Sequence, residues 1–257
     1  MDLKLSGKKA LIIGGSRGIG KAIARQMALE GVDCTICSRN ESSLKIAAEE
    51  LAQETKRNIY PIVADTTSPD SILKLVENSV AAMGSIDILI NSGARVGGQE
   101  PEDFNSIKDE LILKDFEEKY LGYFRSIRAV APYMIRNNWG RIINISGLAA
   151  RIGGSYFSSG PRNASVVHLT KSASMELGKH GITVNAVYPG IVSTEAFRER
   201  VTDEDALRQL EAMNSLGRLI TAEEIANVVT FLASPLSASI SGDVISVTGG
   251  IGNSVYY

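Results

Sequence analysis

The chain has 257 residues, 44% of them hydrophobic and 22% charged, which suits one large folded domain and excludes a disordered chain. Twenty-seven Lys and Arg against 29 Asp and Glu leave a net charge of −2, so no basic excess points to nucleic acid. No run approaches the roughly 20 apolar residues of a membrane span, and the amino terminus shows no separate export segment. The chain is expected to be cytoplasmic, with no membrane or nucleic-acid partner.

Short β-branched runs alternate with longer segments of helical period. Strands are expected at 9–13, 33–38, 59–63, 86–91, 141–145, 182–187 and 244–247, with helices at 18–29, 41–56, 69–83, 116–135, 163–179 and 222–233. In the first helix Ile19, Ile23 and Met27 recur every four residues, a buried stripe. Strands that are apolar throughout predict burial on both faces, and strand–helix alternation predicts a doubly wound, mostly parallel α/β sheet of Rossmann-like type. Neither repeat nor linker interrupts the chain, so residues 1–257 read as a single domain. Ligands are then expected beyond the carboxyl ends of the strands.

Cys34 and Cys37 form a CxxC, but within a β-branched run whose positions three apart face opposite ways, so the thiols are expected to be buried separately. His168 and His180 have no metal-ligand spacing around them, and no metal is expected.

The first strand runs into Gly14-Gly15-Ser16-Arg17-Gly18-Ile19-Gly20, and a helix then opens. Glycines there let the backbone approach a pyrophosphate, whose charge meets the unpaired N–H groups and dipole of the helix start. The spacing is GxxxGxG, and here the sequence resembles the short-chain dehydrogenase/reductase family. The resemblance continues along the chain through Asp65-Thr66, Asn91-Ser92-Gly93-Ala94, Asn144-Ile145-Ser146, Val184-Asn185-Ala186-Val187-Tyr188-Pro189-Gly190 and Ser241-Gly242 to Gly249-Gly250. It implies adenine contact by Asp65 and Thr66, a place for Asn91 and Gly93 beside the cofactor, packing of Pro189 and Gly190 beside the nicotinamide, and contact of Val192 and Thr194 with its carboxamide. At the end of the second strand stand Ser38 and Arg39, with no carboxylate before Glu41. With Arg17 this offers two guanidiniums, which suit a 2′-phosphate, so NADP(H) is the expected cofactor; the alternative is two solvated arginines.

The family's chemistry is hydride transfer between nicotinamide and a carbonyl or alcohol carbon. A Tyr handles the proton, a Lys four residues later lowers its pKa, a Ser orients the substrate oxygen, and an Asn on the preceding helix holds a relay water. A free Tyr titrates near 10, so work at neutral pH needs a shift of about three units, about 4 kcal/mol. Ala164 to Ser172 resembles the segment after the family's YxxxK. That register puts Ser159 where the Tyr belongs and Asn163 where the Lys belongs, Lys119 where the helix Asn belongs, and either Gly147 or Ser146 where the Ser belongs.

Two readings follow. Lys119 and Asn163 are a reciprocal exchange, so the site can be rewired around them, with Tyr156 as phenol and Ser146 as orienter. That would make the chain an NADP(H)-dependent oxidoreductase of a small carbonyl or alcohol. Alternatively the fold has kept its cofactor pocket and performs lyase or hydrolase chemistry, or serves as an inactive NADP(H)-binding sensor. Singly, Lys119 can equally face solvent beside Glu117 and Glu118, Tyr156 can pack or line a substrate loop, and Ser159 and Asn163 can cap a helix. Arg162 reads as a carboxylate or phosphate clamp or as a surface charge, and the acid-rich segment 95–115 as a substrate-side loop. A homodimer or homotetramer through helices 116–135 and 163–179 is expected from the resemblance.

Overall fold

The computed structural model describes residues 2–93 and 103–252. Among these residues, seven parallel strands form one sheet: β1 (Lys9–Ile13), β2 (Asp33–Ser38), β3 (Ile59–Val63), β4 (Ile88–Asn91), β5 (Gly140–Ile145), β6 (Ile182–Pro189) and β7 (Val244–Val247). Their order across the sheet is β3-β2-β1-β4-β5-β6-β7, so the winding reverses between β1 and β4. At such a reversal the two connections leave in opposite directions and open a crevice above the strand ends. β4 starts two residues later than the sequence pattern suggested, and β6 runs on to Pro189.

Helices cover both faces. α1 (Gly18–Leu29), α2 (Glu41–Thr55) and α9 (Ala222–Ala233) bury Ile23, Met27, Leu44, Leu51, Ile225 and Val229 in one cluster. α3 (Pro69–Met83), α5 (Gly122–Arg136) and α6 (Ser159–Leu177) bury Ile72, Val76, Ile127, Val130, Val166 and Leu169 in the other. Alternate strand residues feed the two clusters, Ile12 and Ile36 one way and Leu11 and Cys37 the other, as the period of two requires. Cys34 and Cys37 accordingly lie on opposite faces, both buried, and burial pushes the Cys37 thiol up to about 12.

The expected helix over 116–135 is three pieces: α4 (Asp109–Phe116), a π-helical turn (Glu117–Leu121) and α5. Thus the segment expected to be a loop ends in a helix; its part 95–102, and Ala94 of the β4 motif, lie outside the described residues. α6 begins at Ser159, four residues before the sequence boundary, because Pro161 sits in its first turn, where a missing N–H leaves no bond unmade. Two further helices, α7 (Glu195–Arg200) and α8 (Glu204–Ala212), are capped by Thr194 and Asp203. Among the described residues no helix is long and apolar enough to cross a membrane, and no three or more His, Cys, Asp or Glu gather as a metal site.

Candidate active site

The carboxyl ends of β1 to β6 carry the residues singled out in the sequence. At the β1–α1 turn, Gly14 has φ of +82°, and a Cβ there would come within 2.6 Å of Gly93 Cα. The loop can therefore lie against the end of β4 only as glycine. A Cβ on Gly20 would strike the Gly14 carbonyl at 2.1 Å. Gly18, at φ +54°, has only Thr194 near its Cβ position, at 3.5 Å, so the helix start opens toward the loop after β6. Arg17 occupies the N-cap of α1, exposed and without a capping bond, and the amides of Gly18, Ile19 and Gly20 follow it. Such a glycine cradle at a helix start is the geometry an anionic pyrophosphate requires.

The neighbouring strand ends complete the rim. Ser38 Oγ donates to the Asn40 carbonyl at 3.1 Å, which holds the turn that presents Arg39. Arg39 is 59% exposed at its side chain and lies 3.7 Å from the buried Glu118 carboxylate. Burial acts to raise the Asp65 carboxyl, but hydrogen bonds from Thr67 N and Oγ1, both 2.9 Å, with Arg39 and Arg125 nearby, hold it below its ordinary value. A cavity of about 550 Å³ is lined by Arg39, Asp65 and Glu118 and, from α4, Lys114. Asn91 is buried, donating to Asn144 at 2.8 Å and accepting from Ser126 at 2.7 Å, and Asn144 donates to Thr170 at 3.0 Å. This polar chain ties β4 and β5 to α5 and α6. Gly190 N bonds the Val247 carbonyl at 2.9 Å after Pro189, Val192 bridges to Ile220, and Thr194 Oγ1 accepts from Phe197 N at 3.2 Å. The fit to a dinucleotide thus rests on backbone: two glycines that admit no Cβ and one whose Cβ direction stays open.

At the other end of the crevice, Lys119 points inward and is 5% exposed, so the solvent-facing alternative does not hold. The π-helical turn is the reason, since its wider winding shifts Glu118 and Lys119 together off the outer face. Gly122 permits this turn to approach β3, because a Cβ there would meet Thr66 at 2.9 Å, and Thr66 Oγ1 donates to the Glu118 carbonyl at 3.3 Å. Lys119 Nζ donates to Asn163 Oδ1 at 2.7 Å and to the Ser146 carbonyl at 2.9 Å. Ser146 Oγ donates to the Asn163 carbonyl at 2.9 Å. Lys119, Ser146 and Asn163 therefore form one buried unit joining the π turn, β5 and α6. Between the two serine alternatives, the Cβ direction of Gly147 points into the Asn163 amide, 2.5 Å from Nδ2, while the Ser146 hydroxyl turns to the α6 backbone.

Ser159 is buried in the first turn of α6. Tyr156 lies in the preceding loop at 36% exposure, its ring beside Gly154 and its carbonyl accepting from Gly160 N at 2.8 Å. Among the described residues its ring makes no hydrogen bond to Lys119, Ser146 or Asn163. Arg162 is not a surface charge: it is 2% exposed, and its Nη1 pairs with Asp115 Oδ1 of α4 at 3.0 Å. Ser158 Oγ donates to the other oxygen of Asp115. Burial is the main force holding the Lys119 amine well below its usual range, and Arg162 adds to it while Asp115 opposes it. The sequence reading missed Asp115 and Ser158; an Arg in the first turn of an otherwise weakly charged helix was the one signal that a counter-ion is needed.

The chain is similar in sequence and fold to several known proteins. A family model described as enoyl-(acyl carrier protein) reductase matches residues 14–252. The chain is 33% identical to a 3-oxoacyl-[acyl-carrier-protein] reductase, FabG, of Aquifex aeolicus over 98% of this chain and 100% of that protein. L-sorbose reductase from Gluconobacter frateurii, solved with NADPH and L-sorbose, superposes with a TM-score of 0.93 at 27% identity, covering 99% of this chain and 100% of that one. A xylitol dehydrogenase solved with NAD+ superposes at 0.90 with 26% identity, covering 96% of this chain and 100% of that one. The chain belongs to the short-chain dehydrogenase/reductase family of oxidoreductases.

Proposed function

We propose that the chain is an NADP(H)-dependent oxidoreductase that interconverts a small carbonyl compound and its alcohol. Lys119, Ser146, Ser159 and Asn163 form the reacting end of its site, and Tyr156 stands on the loop leading to it. The observation that carries this reading is the 2.7 Å bond between Lys119 and Asn163. The lysine and asparagine that the family resemblance implies are exchanged between helices, yet still joined beside β5. An inert scaffold has no need to bury a lysine at this point, where the desolvation penalty is large.

The coenzyme choice rests on Arg17 and Arg39 and on the lack of a carboxylate at the end of β2, where one would favour the unphosphorylated ribose. Gly14, Ser16, Arg17, Gly18, Ile19 and Gly20 would cradle the pyrophosphate, Ser38 and Arg39 the 2′-phosphate, and Asp65 and Thr66 the adenine. Asn91, Gly93, Pro189, Gly190, Val192 and Thr194 would flank the nicotinamide half. Bound NADPH would supply a hydride; the protein orients the carbonyl and exchanges the proton. The apolar exposed side chains Phe124 of α5 and Met175 of α6 support a homodimer or homotetramer through these helices.

A second reading, a lyase, hydrolase or sensor that has kept the coenzyme, is favoured by Ser159 at the place of the family's Tyr. Two measurements separate them. Titration should give tighter binding of NADPH than NADH. Loss of reduced-nicotinamide absorbance should then follow addition of a ketose, an aldehyde or a 3-oxoacyl thioester. Binding without turnover on all three classes supports the second reading, and no binding of either coenzyme removes both.

A further inference from the structure

The proton in this reaction needs a carrier, and the position held by the family's Tyr is Ser159. Lys119 Nζ has four tetrahedral positions. Cε takes one, and Asn163 Oδ1 and the Ser146 carbonyl take two. Among the described residues no third acceptor bonds Nζ and no carboxylate pairs with it. A neutral amine has two N–H donors and one lone pair, so both protein bonds persist whether lysine is charged or neutral. What changes is only the fourth position, an N–H in one state and a lone pair in the other. Nζ itself lies between the end of β5 and the first turn of α6.

Among the described residues, the charged groups around it are few. From α4 comes Asp115, held by Arg162 at 3.0 Å and by Ser158. The π turn carries Glu117, paired to Arg125 at 3.4 Å, and Glu118, 3.7 Å from Arg39. α5 presents the Tyr123 ring, its centroid 5.9 Å from Nζ, with its hydroxyl donated to the Ile145 carbonyl at 3.1 Å. α6 presents Arg162, and β5 only carbonyls. A buried ammonium is ordinarily met by a carboxylate; here Asp115, the carboxylate that acts on the amine, is engaged by a guanidinium.

We propose that Lys119 is the proton-exchanging group of this enzyme, reaching the substrate oxygen through the one position that Asn163 and Ser146 leave open, with the Arg162–Asp115 pair as the positioning element that sets its charge state. The assignment rests on the reductase reading above and chooses Lys119 over Tyr156 within it. In reduction the carbonyl carbon receives a hydride with its electron pair, and the C=O π pair moves onto oxygen. That oxygen takes a proton from Nζ, whose N–H pair stays on nitrogen as the lone pair, and solvent returns one proton to the amine. In oxidation the lone pair takes the hydroxyl proton. Burial and the Arg162 charge, which hold the amine below its ordinary range, bring its charged and neutral states closer together in energy than in an exposed lysine.

The test is a pH titration of the full chain, without coenzyme, carrying ¹³C-labelled lysine and followed by NMR at Cε. One resonance, missing in Lys119→Met, should titrate well below the surface lysines. Arg162→Gln should raise its midpoint by about one unit or more, Asp115→Asn should lower it, and Arg162→Lys, which keeps the charge, should restore it. Should Lys119 titrate with the surface lysines, or ignore Arg162→Gln, the assignment is overturned. With coenzyme and carbonyl, Lys119→Met should lose about 100-fold or more in kcat, and the acidic or basic limb of the profile should follow the NMR midpoint. A larger loss in Tyr156→Phe than in Lys119→Met gives the proton to the phenol and ends the proposal while leaving the reductase intact. A low-titrating Lys119 in a chain that turns over no carbonyl removes the reductase reading instead.

Discussion

Adding a single methyl group at Gly147 probes whether the Lys119–Asn163 pair is a fixed part of the site. The backbone there has φ of −176°, an extended value open to any residue, so Gly147→Ala introduces no conformational strain. The effect is steric: the new Cβ would lie 2.5 Å from Asn163 Nδ2 and 3.1 Å from its Cγ. Asn163 has little freedom to withdraw, because it is buried and its Oδ1 holds Lys119 at 2.7 Å. Overpacking of this kind costs about 1–3 kcal/mol. Breaking the bond to Lys119 adds about 1–3 kcal/mol. A total near 3 kcal/mol corresponds to a fall of roughly 6–12 °C in Tm for a chain of this size. Urea denaturation of the four members of a cycle, wild type, Gly147→Ala, Asn163→Ala and the double variant, isolates the contact. With the amide gone, the methyl group should cost under about 1 kcal/mol, leaving a coupling near 2 kcal/mol. An equal cost in both backgrounds, or a Gly147→Ala protein as stable as wild type, refutes the reasoning.

Three further outcomes are expected. Because burial and Arg162 depress the Lys119 pKa, the unfolded chain binds that proton more tightly than the native one, so the penalty is full below the native pKa and vanishes above the ordinary lysine value of 10.5. Lys119→Met should therefore gain in stability relative to wild type as pH falls from about 10 toward 7; a pH-independent difference in denaturation experiments contradicts this. Arg39→Ala should weaken NADPH binding about tenfold in calorimetric titration and leave NADH within about twofold, and equal losses for the two coenzymes would remove Arg39 from the 2′-phosphate. Asn144→Ala should destabilise by about 2–3 kcal/mol, since the fully buried Asn91 Nδ2 loses its acceptor; a cost under half of that would mean the polar chain re-pairs.

The sheet was legible because its signals are local. Ile12, Ile36, Ile90 and Ile143 sit in apolar runs that can be buried only between two helical layers, and the glycines of the first turn have a reason that a sequence alone can supply. The acid-rich segment before Phe116 was illegible for the opposite reason. α4 is eight residues long and is held by Asp115 meeting Arg162 and Ser158, residues more than forty positions away. The π turn is likewise set by contact with Thr66, so no helical periodicity could show that Lys119 and Glu118 turn inward. The lysine–asparagine exchange could be proposed from register, but its closure into a hydrogen-bonded unit depends on the fold. α7 and α8 did carry readable signals, Thr194 and Asp203 at their N-caps, that the strand–helix alternation overshadowed.

The most direct test of the account is isotope transfer from NADPH carrying deuterium at the transferable position of nicotinamide C4. Incubated with the protein and a ketose, an aldehyde or a 3-oxoacyl thioester, it should deliver one deuterium to the carbinol carbon of at least one product, with wild type far ahead of Lys119→Met. A chain that binds the coenzyme yet leaves every carbonyl free of deuterium would contradict the claim that this exchanged site still moves a hydride.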